Sequence, residues 1–149
     1  MIREMQEKDI NYLVDLGYVM HQESSFADLE YDKDKMRELG EEILHTNNYC
    51  CYVYERENTI IGYIVGIVGY YFFNHQKYAS DFALYIDPNQ RGSIAAVRLI
   101  KELEKWAKLQ NCTEIRLGSS ANINPERVKQ LYERLGYTTT GHLFRKIVR

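Results

Sequence analysis

The chain has 149 residues, 45% of them hydrophobic and 27% charged, so it can bury a core as one domain, residues 1–149, and is too apolar to stay disordered. A formal net charge of -2 excludes the long-range field that draws proteins onto nucleic acids or anionic membranes. The uncharged, largely apolar run at residues 60–73 is shorter than the ~20 residues of a membrane-spanning helix. The opening Met-Ile-Arg-Glu-Met-Gln-Glu lacks the apolar core of a secretion signal, which points to the cytoplasm.

In chain order, residues 2–5 read as a short strand. Ile10, Leu13, Leu16 and Met20 recur at helical spacing and predict a helix over about residues 8–20; a second helix follows over about 33–45. Residues 49–55 and 60–73 read as strands, joined as a hairpin by the polar Arg56-Glu57-Asn58-Thr59. A third strand of this group covers residues 79–87. Asp87-Pro88-Asn89-Gln90 is a turn by composition, and beyond Arg91-Gly92-Ser93 an apolar stripe of Ile94, Val97, Ile100, Leu103 and Ala107 predicts a helix.

Residues 114–118 form another strand, so residues 79–118 make a strand-helix-strand unit, whose crossover normally makes the two strands parallel. The last helix starts with Asn124 as N-cap and Pro125 at its first position, turns Val128, Leu131 and Leu135 inward and stops at Gly136. Residues 137–148 alternate enough for one or two closing strands. The expected fold class is α/β: a single domain with a mixed central sheet of six to seven strands flanked by about four helices.

Cys50, Cys51 and Cys112 are odd in number and lack ligand spacing, which excludes a disulfide framework and a zinc site. Cys50 and Cys51 sit in an apolar aromatic run and read as small hydrophobes. The turn at residues 90–93 holds more chemistry. Backbone N–H groups and the helix dipole converge there; Gly92 permits close approach, Ser93 caps the helix or reaches an oxygen, and Arg91 adds a cation. Such turns also serve only to cap helices, so both readings stay open on these residues alone. A Walker ending and a Gly-x-Gly-x-x-Gly run are both lacking, which argues against nucleotide phosphate transfer.

Arg91-Gly92-Ser93-Ile94-Ala95-Ala96 resembles the acetyl-CoA signature of the GNAT family of acetyltransferases, Arg/Gln-x-x-Gly-x-Gly/Ala, with Ile94 where the family most often has glycine. The run from Val128 to Tyr137 is similar to the family's Ala-x-x-Leu-Tyr-x-Lys-Leu-Gly-Phe segment, a more specific match. The family's asparagine precedes the tyrosine by seven positions, whereas Asn124 precedes Tyr132 by eight. His21-Gln22-Glu23-Ser24, and Asp81 within its strand, resemble small phage and prophage members. The order of elements agrees along almost the whole chain.

The resemblance implies an acetyl-CoA-dependent N-acetyltransferase that moves acetyl directly to a primary amine, with no covalent enzyme intermediate and no metal. Acetyl-CoA and the amine are then its partners; nucleic acid and membrane are not, and many relatives pair as homodimers. The cofactor would meet Arg91, Gly92, Ser93, Ile94, Ala95, Ala96 and Asn124, with Ile94's place in the apolar stripe turning its side chain away from the pyrophosphate. Main-chain N–H groups near Tyr85 and Ile86 would polarise the acyl carbonyl, where the family's sheet splays.

A lysine-like amine with a pKa near ~10.4 is mostly protonated at pH 7, so a carboxylate or water chain must help to remove its proton. Asp81 and Glu23 are the candidates. Read without the resemblance, Asp81 is a solvated strand end, Glu23 part of a charged loop with Asp28, Glu30, Asp32 and Asp34, and His21 a structural helix-end residue. Tyr132 is the expected general acid, since the resemblance places its hydroxyl near the CoA sulfur. The acidic segment implies a cationic acceptor if it borders the cleft as in the family. The alternative is a non-catalytic acetyl-CoA-binding or protein-binding module that keeps the fold.

Overall fold

The computed structural model describes residues 1–91, 94–118 and 123–148. Its elements run β1 (Ile2–Glu4), α1 (Ile10–Glu23), α2 (Lys33–His45), β2 (Tyr49–Arg56), β3 (Thr59–Tyr70), β4 (Lys77–Ile86), α3 (Ala95–Leu109), β5 (Glu114–Arg116) and α4 (Pro125–Arg134). The five strands form one sheet in sequence order, antiparallel from β1 to β4 and parallel between β4 and β5.

β3 is apolar along nearly its whole length because helices cover both faces of the sheet. On one face Cys51, Val53, Tyr63 and Val65 pack with Ile10, Val14 and Leu16 of α1 and Ile43 of α2. On the other, Cys50, Ile64, Val68 and Ala79 pack under Leu99, Ile100, Leu103 and Trp106 of α3. α3 lies close to the strands at Gly66, where an added Cβ would sit 2.5 Å from Leu103 Cδ1 and 2.8 Å from Cys50 Sγ. The β2–β3 hairpin turns through Glu57 and Asn58, both in the left-handed region at φ 51 and 63, as a two-residue hairpin turn requires.

Asp32 accepts from the N–H groups of Asp34 and Lys35 and starts α2 at the expected residue. The C-terminal expectation fails. Among the described residues the sheet has five strands rather than six to seven, because residues 137–148 form no strand. Leu143, Phe144, Ile147 and Val148 are exposed, and Arg145 reaches Asp28 at 3.5 Å across the α1–α2 loop. Alternation supplies a strand with two faces but not with a partner, and β5 pairs through only three residues.

The start of the chain is tied to the sheet by Arg3, whose guanidinium donates to Asp9 Oδ2 at 2.7 Å, Asp9 Oδ1 at 3.0 Å and Glu55 Oε2 at 2.6 Å. Asp9 is only 5% exposed, and Arg3 holds its carboxyl below the ordinary aspartate range despite burial. Arg3→Ala strands that charge and is expected to lower unfolding free energy by ~3 kcal/mol in urea at pH 7. A depressed carboxyl stabilises the fold above the unfolded value of ~3.9 and loses that contribution as pH falls through the folded value. The gap between wild type and variant should therefore narrow below about pH 4; a constant gap would show that Asp9 is not its source.

Candidate active site

Among the described residues β4 and β5 pair only through Tyr78, Ala79 and Ser80, opposite Glu114, Ile115 and Arg116. Beyond Ser80, β4 stays paired with β3, while its other edge opens into a cleft of about 580 Å³ between β4, the start of α3 and α4. Asp87 donates its N–H to Ile61 O at 2.7 Å, toward β3. Strand alternation therefore turns the Tyr85 peptide groups toward β3 as well, and those of Leu84 and Ile86 toward the cleft. There the Ile86 carbonyl accepts from Arg91 Nε at 3.2 Å. Of the two residues expected at this edge, Ile86 lies along it with its main chain and Tyr85 does not; Leu84 joins Ile86.

A register shift in the β3–β4 ladder, from Val65↔Ala83 to Gly66↔Asp81, makes Phe82 an extra residue. Such a bulge re-aims the side chains beside it. Asp81 lines the cleft, where its Oδ1 accepts from Gly118 N at 3.0 Å. Burial pushes its carboxyl up to about 6, against the opposing backbone hydrogen bonds. Tyr132 reaches the same residue from α4, its hydroxyl donating to Gly118 O at 3.3 Å. Burial, with a smaller contribution from Asp81, raises the Tyr132 phenol well above its ordinary value.

Tyr132 is aimed by the end of its helix. Tyr137 N–H donates to Tyr132 O at 3.0 Å and Gly136 N–H to Glu133 O at 3.0 Å, the paired bonds of a Schellman motif, with Gly136 at φ 94. The rings of Tyr132 and Tyr137 lie 6.1 Å apart, and Tyr137 donates to Glu104 on α3 at 2.9 Å. The Leu-Gly-Tyr signal in the sequence is thus the stop that locks α4 against α3.

Glu23 ends α1 and takes a hydrogen bond from the buried Tyr85 hydroxyl. Arg91, which follows a single helical turn at Pro88–Gln90, grips it with both terminal nitrogens, at 2.9 Å and 3.0 Å. Burial works to raise the Glu23 carboxyl, but the bonds from Arg91 and Tyr85 outweigh it and hold the group below its ordinary range.

The remaining expected residues divide. Ile94 is 54% exposed and lines the cleft, so its side chain does not join the apolar stripe, which begins one residue later. The cause is its place at the N-cap of α3, outside the helical repeat. Ala95 is fully buried in the core, Ala96 lines the cleft, and Gly92 and Ser93 lie outside the described residues. Asn124 precedes α4 in the left-handed region at φ 47; it lines the cleft, but its side chain caps nothing. His21 contacts Gln22 and the Tyr31 ring.

Sequence reasoning missed Met20, Gly118, Arg127 and Arg134 among the cleft's lining residues. Arg127 and Arg134 are seven positions apart on α4, a helical repeat that carries both to one face with Leu131. Arg91, Arg127 and Arg134 put cations around an otherwise largely apolar groove with a bare strand edge. That combination fits a ligand with an anionic head and an amide-bearing arm, as acetyl-CoA has. Among the described residues no cluster of His, Cys, Asp or Glu could hold a metal, and no helix is long and apolar enough to cross a membrane. Cys50 and Cys51 belong to the cores, and burial pushes the Cys50 thiol up to about 12.

A family model described as the acetyltransferase (GNAT) family matches residues 17–137. Solved structures share the fold from end to end. A transcriptional regulator from Bacillus halodurans superposes at TM-score 0.80 and 19% identity over 99% of each chain. The aminoglycoside N-acetyltransferase AAC(6')-Iy, in complex with the bisubstrate analogue CoA-S-monomethyl-acetylneamine, does so at 0.78 and 16% over 100% of this chain and 97% of its own. Glucosamine-6-phosphate N-acetyltransferase from Arabidopsis thaliana gives 0.76 and 17%, over 100% and 98%. At such identities these structures show the fold alone. No curated protein matches the sequence. The family match spans the cleft, the cationic turn and the tyrosine helix, and the chain belongs to the GNAT family of acetyltransferases.

Proposed function

We propose that this chain transfers the acetyl group of acetyl-CoA directly to a primary amine, and that the acceptor is cationic. The observation that carries the reading is the meeting of Asp81 and Tyr132 at Gly118, inside the cleft that the bare edge of β4 opens. Acetyl-CoA supplies the activated thioester. Arg91, Arg127 and Arg134 face its phosphates, Ile94, Ala96 and Asn124 line its path, and the Leu84 and Ile86 edge meets its amide arm and acyl carbonyl.

Asp81 and Glu23 are pushed in opposite directions, and such a separation assigns roles. With its carboxyl near 6, Asp81 is ionised at neutral pH yet basic enough to accept a proton from the attacking amine. Glu23, held low by its partners, stays ionised and serves as a contact for the acceptor's positive charge. Burial keeps Tyr132 protonated, so it is a donor to the departing thiolate and not a base. Within the acidic segment, support for a cationic acceptor rests on Glu23, which is bound by the cleft residues Arg91 and Tyr85. Asp32 caps α2, Asp34 pairs with Arg37 at 2.8 Å and Asp28 meets Arg145.

The AAC(6')-Iy and glucosamine-6-phosphate enzymes, by name N-acetyltransferases, support an amine acceptor. The narrower phage likeness rests on His21-Gln22-Glu23-Ser24 and Asp81. The exposed Leu143, Phe144, Ile147 and Val148 support the expected homodimer. Release of CoA thiol over a panel of amines tests the reading: spermidine is expected to outpace a neutral amine, and preference for an anionic amine would sink the cationic assignment. CoA binding without thiol release from any amine favours the non-catalytic module.

Tyr132→Phe should lower turnover by roughly 10²-fold while leaving the Kd for acetyl-CoA nearly unchanged; wild-type turnover removes Tyr132 from the chemistry. For Asp81, kcat/KM should fall as pH drops through about 6, and Asp81→Asn should lose that limb. Folding shows the opposite sign. Unfolded aspartate ionises near ~3.9 but the folded group only near 6, so its ionisation costs stability progressively between those values and fully above them. Asp81→Asn is therefore expected to melt above wild type at pH 8, by roughly 1–2 kcal/mol after solvent screening, with the advantage fading toward pH 4. A variant less stable than wild type at pH 8 contradicts the burial argument.

A further inference from the structure

Arg91 and Glu23 stand 68 positions apart in sequence, and the proposed function gives them different ligands. One is the cation beside the cofactor's phosphates, the other the carboxylate that meets the acceptor. In the structure they hold each other. Arg91 lies 2.9 Å from Glu23 Oε2 through one terminal nitrogen and donates to Oε1 at 3.0 Å through the other, while Nε donates to the Ile86 carbonyl at 3.2 Å. The guanidinium also sits 5.2 Å over the ring of Tyr85, whose hydroxyl binds the same carboxylate. All three guanidinium nitrogens and both carboxylate oxygens are engaged. The side chains are only 27% and 29% exposed, so water screens the pair less than it screens ion pairs on the open surface.

A fork of two parallel N–H groups is the geometry by which arginine binds a phosphate as well as a carboxylate. An anionic ligand arriving at this end of the cleft competes with Glu23 for the same donors. We propose that the Glu23–Arg91 pair is a latch opened by acetyl-CoA: the cofactor's phosphates draw Arg91 off Glu23, and the freed carboxylate becomes the contact for the acceptor's ammonium group. This inference rests on the acetyl-CoA reading above. Before the cofactor binds, Arg91 neutralises the carboxylate and the acceptor site lacks its anion; afterwards the anion is exposed. Cofactor and acceptor then bind with positive coupling, acetyl-CoA first, and each raises the affinity of the other by the same factor.

The latch makes a prediction that a merely structural ion pair does not. Removing Glu23 should strengthen binding of CoA, because Arg91 no longer has to be taken from a competitor. Calorimetry with CoA itself on wild type, Glu23→Gln, Arg91→Gln and the double variant provides the test, with Glu23→Ala as a second form of the first substitution in case glutamine keeps a bond to Arg91. Glu23→Gln or Glu23→Ala is expected to tighten CoA about 3- to 10-fold, and Arg91→Gln to weaken it about 10-fold. In the Arg91→Gln background, removal of Glu23 should change the affinity less than about 2-fold, because the gain passes through Arg91. A gain of the same size in that background would reduce Glu23 to a general negative charge near a polyanion and overturn the latch. Unchanged or weakened CoA binding in both Glu23 variants would overturn it too, while leaving the acetyl-CoA reading intact. Failure of the wild-type protein to bind CoA would remove that reading first, and the latch with it.

Discussion

β4 loses its neighbour after three residue pairs with β5, and the rest of the site follows from that parting. A central strand normally satisfies its peptide groups on both sides, and backbone groups kept from water and partner cost free energy. Among the described residues β4 is paired on one side only from Asp81 onward, so the peptide groups of Leu84 and Ile86 face the cleft. Arg91 already uses one of them, the Ile86 carbonyl. A chain bearing amides can take the place of the missing strand, which is why the groove suits an extended cofactor arm better than a compact ligand.

The bulge at Phe82 lies at the point of parting, and it brings Asp81 to the mouth of the opening. Gly118, just beyond β5, then binds both side chains proposed to act in catalysis, its N–H to Asp81 and its carbonyl to Tyr132. One residue thereby sets the relative position of a carboxylate from the sheet and a phenol from α4. The Schellman stop at Gly136 and the bond from Tyr137 to Glu104 hold that helix in register with α3. Burial raises both Asp81 and Tyr132, but the consequences differ, since a carboxyl brought to about 6 changes charge close to neutral pH whereas the phenol stays protonated there.

Glu23 shows the opposite electrostatic solution. Its burial alone would raise it, as it raises Asp81, yet Arg91 and Tyr85 reverse the outcome. Two carboxylates of the same chain are thus separated by their partners rather than by their type, and neither assignment follows from a count of acidic residues. Most of the acidic segment after α1 serves local structure: Asp32 as a cap, Asp34 in a pair with Arg37, Asp28 against Arg145.

Features governed by neighbours in sequence are legible in the sequence itself. α2 spans the expected residues because Asp32 caps it and its apolar repeat is local, and α4 starts at Pro125 and stops before Gly136 for similarly local reasons. The parallel pairing of β4 and β5 also followed, since a strand-helix-strand crossover permits little else. Tyr132 and Asp81 stand out through the family resemblance, not through any local property that separates them from other tyrosines and aspartates. The tertiary structure alone decided that residues 137–148 form no strand, that Ile94 faces the cleft, that Arg127 and Arg134 join Arg91 there, and that Glu23 and Arg91 are paired. The physical reason is one of range. Caps, turns and helical repeats act over a few residues, whereas a strand's partner, a carboxyl's burial and an ion's counter-charge are supplied by chain that is distant in sequence.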